Sequence, residues 1–195
     1  MRFTVPNILT LFRILLVPVM VIAYYLPYKG TNVVAAAMFA AGAITDWLDG
    51  WIARKYGQTS SFGEFLDPVA DKVTVTVALF LIVQTDPSPL MAIVGAIIVG
   101  REIAISALRE WMAEVGQRKK VRVVALAKFK TILQMVAIVI LFYRHDFVGV
   151  KMYRVGQGLL IAAAALTIWS GFMYIRAAWP HIQAHDEGRG DDPAA

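Results

Sequence analysis

Four aspartates set into apolar sequence constrain this chain more than any other feature. Asp46 and Asp49 close an apolar run that begins near residue 32, and Asp67 and Asp71 open another that continues to about residue 84. Carboxylates beside bilayer-type sequence are costly, so ionisable residues there mark functional sites by default. On a helix the i,i+3 pair Asp46/Asp49 shares one face, as does the i,i+4 pair Asp67/Asp71. If the two helices are neighbours across the short polar turn at residues 55–61, the four carboxylates converge.

The surrounding sequence makes the bilayer setting concrete. Of 195 residues, 58% are hydrophobic and the mean hydropathy is +0.61, against about 45–50% apolar residues in soluble domains. The chain reads as an integral membrane protein with one domain, residues 1–180, and a polar tail, residues 181–195, expected to be disordered. The absence of cysteine excludes disulfides, thiolate metal sites and cysteine nucleophiles, leaving oxygen and nitrogen ligands. A net charge of +5 comes with no nucleic-acid motif; in such a protein it follows topology or anionic lipid. Residues 1–7 carry one cation and no small-residue cleavage pattern, so the first apolar run is expected to be retained.

Crossing about 30 Å of hydrocarbon takes roughly 20 helical residues. Six stretches meet or approach that length, near residues 8–25, 32–54, 61–84, 90–114, 125–143 and 154–176, with a break at residues 86–89 before the fourth. The expected fold is all-α, a polytopic bundle of six transmembrane helices. Ser61 followed by Glu64 forms a capping-box pattern that starts the third helix near residue 60 or 61, and Pro68 falls inside it. Most Lys and Arg fall on one side of the predicted spans, which puts both termini and the turn between the aspartate helices in the cytoplasm.

Four carboxylates within a few ångströms repel one another strongly at low dielectric, so protons or cations must accompany them. Hard oxygen ligands suit Mg²⁺ or Mn²⁺, and two divalent ions would balance four charges. Paired ions roughly 3.5–4 Å apart are a recurrent device for displacement at phosphorus. Gly50 and Ala53 flank the first pair and Gly63 opens the next helix, admitting close approach of a backbone or ligand. Arg54 offers a planar bidentate donor for phosphate. Taken singly, each of these four reads equally well as packing or as a topology-setting cation.

The run Asp46-x2-Asp49-Gly50-x2-Ala53-Arg54-x8-Gly63-x3-Asp67-x3-Asp71 resembles the complete signature of the CDP-alcohol phosphotransferase family at all eight fixed positions. The resemblance implies a six-helix enzyme of the bacterial cytoplasmic membrane, a homodimer with its site facing the cytoplasm. It implies transfer of a phosphatidyl group from CDP-diacylglycerol to an alcohol, with release of CMP and two divalent cations, Mg²⁺ or Mn²⁺, as cofactors. By the same resemblance Asp46, Asp49, Asp67 and Asp71 are metal ligands, and Asp71 also takes the acceptor hydroxyl's proton. Gly50, Arg54 and Ser60, with Ala53 and Gly63 beside them, match the positions that hold the CDP-diacylglycerol headgroup.

Outside the signature, residues 6–13 and 101–114 and the run Lys128-x-Lys130-Thr131-x2-Gln134-Met135 are similar to family members that use sn-glycerol 3-phosphate. Ala127 departs from them, where glycine is common. A dianionic acceptor needs a positive pocket, for which Arg101, Arg109, Arg118, Lys128 and Lys130 are the candidates. Arg118, grouped with Lys119, Lys120 and Arg122, fits a topology signal better. Arg101 and Arg109 stand eight residues apart on one helix face, with Arg101 too deep for a simple surface charge. Trp47, Trp51 and Trp111 read as interface anchors. Serine, inositol phosphate or phosphatidylglycerol is the alternative acceptor. A cation transporter would need carboxylates reachable from both faces, and prenyl-diphosphate chemistry would not explain the spacing of Gly50, Ala53, Arg54 and Gly63.

Overall fold

A computed structural model describes residues 5–57, 60–114, 125–146 and 149–190. It is all-helical, with α1 (Val5–Tyr25), α2 (Thr31–Tyr56), α3 (Ser61–Thr85), α4 (Pro89–Glu114), α5 (Ala125–Tyr143) and α6 (Met152–Gly190). Gly30 and Gly57 bracket α2 with φ of +97° and +63°, the left-handed backbone that glycine adopts without steric cost. The cap of α3 is Ser60, not the Ser61/Glu64 pair: Ser60 is extended and its hydroxyl accepts from the Gly63 N–H at 3.0 Å.

The last helix is longer than its hydropathy predicts. It passes the expected stop near residue 176 and stays helical through the polar stretch to Gly190. Ala177, Ala178, Gln183, Ala184 and Glu187 are all good helix formers. Residues 191–195 lie outside the described part.

The helices close a ring in the order α1, α2, α5, α6, α4, α3, and α3 also touches α2 and α5. The bundle is divided along its axis. One half is an apolar core in which Met20, Phe39, Leu79, Ile82, Met91, Ile98, Ile138, Leu141 and Phe142 are buried, with the Phe39 and Phe142 rings 6.1 Å apart. At 1.5 Å per residue, Phe39 stands about 10 Å along α2 from Asp46, so the aspartates belong to the other half. The apolar end is closed by Asp86, whose carboxylate accepts from the Tyr153 hydroxyl and the Gln157 amide, each at 2.8 Å.

Four helical stretches are long and apolar enough to cross a membrane: Val5–Tyr25, Thr31–Tyr56, Pro89–Ala113 and Met152–Trp179. Helix α3 carries Glu64, Asp67, Asp71 and Lys72 in its first half, and the described apolar part of α5, Phe129–Tyr143, is shorter. Ile8, Leu15, Ile22, Ile44, Phe80, Ile93 and Phe172 point outward and are exposed. An apolar surface this extensive is foreign to soluble monomers; the protein is a membrane protein.

Helices α5 and α6 approach closely at Gly156, where an added Cβ would meet Leu141 Cγ at 2.9 Å and Ile140 Cγ2 at 3.1 Å. Gly156→Ala should therefore overpack the α5/α6 contact and cost about 1–3 kcal/mol. Thermal unfolding in detergent checks this against Gly158→Ala, where nothing lies within 4 Å and no loss is expected.

Candidate active site

The carboxylates are organised by a helix that contains none of them. Asn7, Thr10 and Arg13 recur every three residues on α1 and are all buried, a polar stripe on one face of an otherwise apolar helix. Arg13 donates through Nη1 to Asp46 and through Nη2 to Asp49, bridging the α2 pair. The guanidinium is only 2% exposed, and Asp49 is buried with it, while Asp46 remains open at 46%. The Thr10 hydroxyl lies 2.6 Å from Asp67 Oδ1 and donates to it. The Ser60 hydroxyl donates to Asn7 Oδ1 at 2.9 Å, which ties the start of α3 to α1. Breaking a buried pair by removing one partner costs about 3–5 kcal/mol, so α1 is a strong brace for both aspartate helices.

A cavity of about 580 Å³ opens beside this brace, lined by Asp46, Asp67, Asp71, Lys72, Glu102 and Arg109 among others. Among the described residues no group of three carboxylate or imidazole side chains is gathered tightly enough to cage an ion, and Arg13 takes up one oxygen each of Asp46 and Asp49. The donor set still fits a hard divalent cation. Asp46, Asp67 and Asp71 face one cavity, and an ionised carboxylate has a second oxygen and further lone pairs to offer.

A second cavity, of about 400 Å³, adjoins the first. Asp71, Lys72, Glu102 and Arg109 line both, while Arg101 and Lys130 line the second alone. Here too several of the charged groups have partners. Lys130 donates to Glu102, Arg101 reaches Glu102 at 3.4 Å and Ser170 at 2.8 Å, and Lys72 donates to Ser106. Gly171 leaves room for Arg101, whose Cγ lies 3.3 Å from where a Cβ would stand. Arg101 Nε and Gln134 Oε1 are buried without a hydrogen-bond partner, two polar groups at this cavity not fully satisfied by the protein.

The structure thus gathers Asp46, Asp67, Asp71, Arg101, Arg109 and Lys130 around two adjoining cavities, with Asp49 behind Asp46 on Arg13. The backbone at Lys128 belongs to α5, and its side chain and Arg118 lie outside the described residues. Gly50, Ala53, Arg54, Ser60 and Gly63 line neither cavity. Arg54 is exposed and folds back along its own helix, where a Cβ at Gly50 would lie 3.4 Å from its Nη1. Ser60 is occupied as helix cap and Asn7 partner, and Gly63 is the point where α3 meets Asn7. Asn7, Thr10, Arg13, Lys72, Glu102 and Ser106 join the site without having been singled out. The available signal was polar side chains recurring at helical spacing inside spans.

An all-helical membrane protein with a carboxylate-lined cavity opening onto a cationic one is the class that fold and site define. The family model described as CDP-alcohol phosphatidyltransferase matches residues 3–169, and the chain belongs to that family. Similar proteins carry the name CDP-diacylglycerol–glycerol-3-phosphate 3-phosphatidyltransferase. One from Pseudomonas fluorescens is 46% identical over 180 residues, 92% of each chain. One from Sodalis glossinidius is 46% identical over 185 residues, 95% of this chain and all of that one. One from Pectobacterium atrosepticum is 46% identical over 178 residues, 91% of this chain and 96% of that one.

The Asn7 contact gives Gly63 a testable role. A Cβ there would sit 2.5 Å from Asn7 Oδ1, so Gly63→Ala should push α1 from α3 and lower the melting temperature. Adding Asn7→Ala to Gly63→Ala should recover part of the loss. Unfolding curves of the two single variants and the double variant measure that coupling.

Proposed function

We propose that the protein transfers the phosphatidyl group of CDP-diacylglycerol to sn-glycerol 3-phosphate, giving phosphatidylglycerophosphate and CMP. Membership of the family and the names of the similar proteins support the reaction class and both substrates. The observation that carries the reading is that Asp71 lines both cavities. A base shared by a carboxylate-rich chamber and a cation-rich chamber stands where a donor phosphorus and an acceptor hydroxyl would meet.

In this reading all six helices cross the bacterial cytoplasmic membrane, both termini face the cytoplasm, and the chain pairs as a homodimer among membrane lipids. The excess of Lys and Arg at the aspartate end supports the orientation. The acyl chains of the donor stay in lipid, and glycerol 3-phosphate enters from the cytosol. Asp46, Asp49, Asp67 and Asp71 would hold two divalent cations, Mg²⁺ or Mn²⁺, which supply neutralisation of phosphate charge when bound. Gly50, Ala53, Arg54, Ser60 and Gly63 make up the donor-headgroup region; the bidentate guanidinium of Arg54 suits its phosphate.

Arg101, Arg109 and Lys130, with Arg118 and Lys128 nearby in sequence, provide the charge for the acceptor phosphate. Glu102 orients Lys130 and Arg101 by holding both. Asp71 takes the proton of the acceptor hydroxyl. The freed oxygen attacks the phosphorus attached to diacylglycerol, a new P–O bond forms, and the P–O bond to CMP breaks, with its electron pair leaving on CMP.

The direct test is CMP release by purified protein in detergent with CDP-diacylglycerol and Mg²⁺ or Mn²⁺. Release should require sn-glycerol 3-phosphate; release with serine or inositol phosphate instead would assign another acceptor. Asp71→Asn should reduce turnover by about 10²–10⁴-fold while donor binding persists. Arg109→Ala should raise the acceptor KM about tenfold or more, the scale of a lost charged hydrogen bond, and leave donor affinity unchanged.

A further inference from the structure

Arg13 is buried, at 2% exposed, and it does not reach either cavity lining. Its two terminal nitrogens hold one oxygen of Asp46 and one of Asp49. Its Nε is buried with no hydrogen-bond partner, so the group is well matched to the two carboxylates and incompletely satisfied otherwise. Asp46 opens onto the 580 Å³ cavity. Gly42 lies alongside the stem of the arginine, where a Cβ would stand 3.8 Å from Arg13 Cγ. The side chain therefore has several rotatable bonds, a glycine beside its stem, and open space just beyond the carboxylates it holds.

We propose that Arg13 is a resident counter-ion of the Asp46/Asp49 pair that divalent cations must displace, so that it sets how tightly the carboxylate site takes metal. The inference rests on the assignment of these aspartates as metal ligands made above. A cation bound to Asp46 and Asp49 would lie within a few ångströms of the guanidinium that holds the same two groups. Like charges at that separation repel strongly in a buried setting. Guanidinium and metal ion therefore compete for the same negative charge. With the metal absent, Arg13 neutralises two carboxylates that would otherwise repel each other across one helix turn. With the metal present, its favourable contacts must be given up. An arginine that served only to brace the helices would strengthen metal binding or leave it unchanged, because it would hold the ligands in place.

The test measures Mn²⁺ binding to the purified full chain in detergent without substrate, by electron paramagnetic resonance of the free ion, together with melting temperature. Arg13→Gln should lower the melting temperature of the metal-free protein. It should also tighten Mn²⁺ binding by about tenfold or more, a change of about 1.4 kcal/mol, and enlarge the stabilisation that Mn²⁺ confers. Arg13→Lys, which keeps the charge but loses the fork that spans both carboxylates, should fall between. Equal or weaker Mn²⁺ binding in Arg13→Gln would overturn the proposal.

If neither variant folds, the wild-type protein decides. The side-chain nitrogen signals of ¹⁵N-labelled Arg13 should change on saturation with Mg²⁺, and signals that stay fixed at saturation would overturn it. Asp67→Asn separates this inference from the reading beneath it. Absence of saturable Mn²⁺ binding in the wild type, or binding that Asp67→Asn and Asp71→Asn leave untouched, removes the aspartates as ligands and the Arg13 proposal with them. Saturable binding that depends on the aspartates but not on Arg13 removes the Arg13 proposal alone.

Discussion

The structure depends on the pairing of acidic side chains inside an apolar bundle. An unpaired carboxylate at this depth would carry a desolvation penalty of several kcal/mol, and Asp46, Asp49, Asp67 and Glu102 each have a cationic or hydroxyl partner from another helix. Asp46 and Asp49 on α2 rest on Arg13 of α1. Asp67 on α3 receives Thr10 of α1, and Glu102 on α4 receives Lys130 of α5. These contacts join different pairs of helices, so the polar half of the bundle is held by charge and hydrogen bonding where the other half is held by packing. Helix α1 gains a function out of proportion to its composition, since one polar stripe of three side chains reaches both aspartate helices.

That division along the axis explains why the site can be open and the protein still ordered. Around Phe39, Leu79, Ile98 and Phe142 the core is dry and continuous, and beyond it the Asp86 cluster with Tyr153 and Gln157 fixes the far ends of α3 and α6. The bundle is thus held by packing at one end and by paired polar groups at the other. The carboxylate-lined cavity lies in the polar half. Glycine permits close approach at Gly156 against α5, at Gly63 against Asn7 and at Gly171 against Arg101.

The fold was largely legible because hydropathy and breakers agree: the six predicted stretches match six helices, and the break at residues 86–89 falls between α3 and α4. The end of α6 was not legible, since loss of hydropathy at residue 180 marks the end of a membrane span and not the end of a helix. In the site, the aspartates stood out because carboxylates are rare in such sequence. Arg13 did not, because a lone arginine near one end of a span looks like a topology signal, and only the fold shows it turned inward onto Asp46 and Asp49. Glu102 was masked in the same way by Arg101 beside it. Pairing across helices separated by 28 to 36 residues, as in Lys130 with Glu102 and Arg13 with Asp49, leaves no trace in local spacing.

Charge balance links the two cavities to the reaction proposed for them. Among the described residues, the charged groups lining them, together with Arg13 and Asp49, are six acids and five bases. The protein is thus close to neutral there by its own side chains. Two divalent cations alone would leave it strongly positive. In the proposed reaction a diphosphate donor and a phosphate-bearing acceptor would bring about as much negative charge as two such ions would bring positive, so that metals and substrates together would restore the balance that neither keeps alone. In the reaction proposed above, a neutral acceptor would leave excess positive charge around Arg101, Arg109 and Lys130, whereas a phosphate would offset it, because Arg101 and Lys130 have only a single shared acid, Glu102, between them.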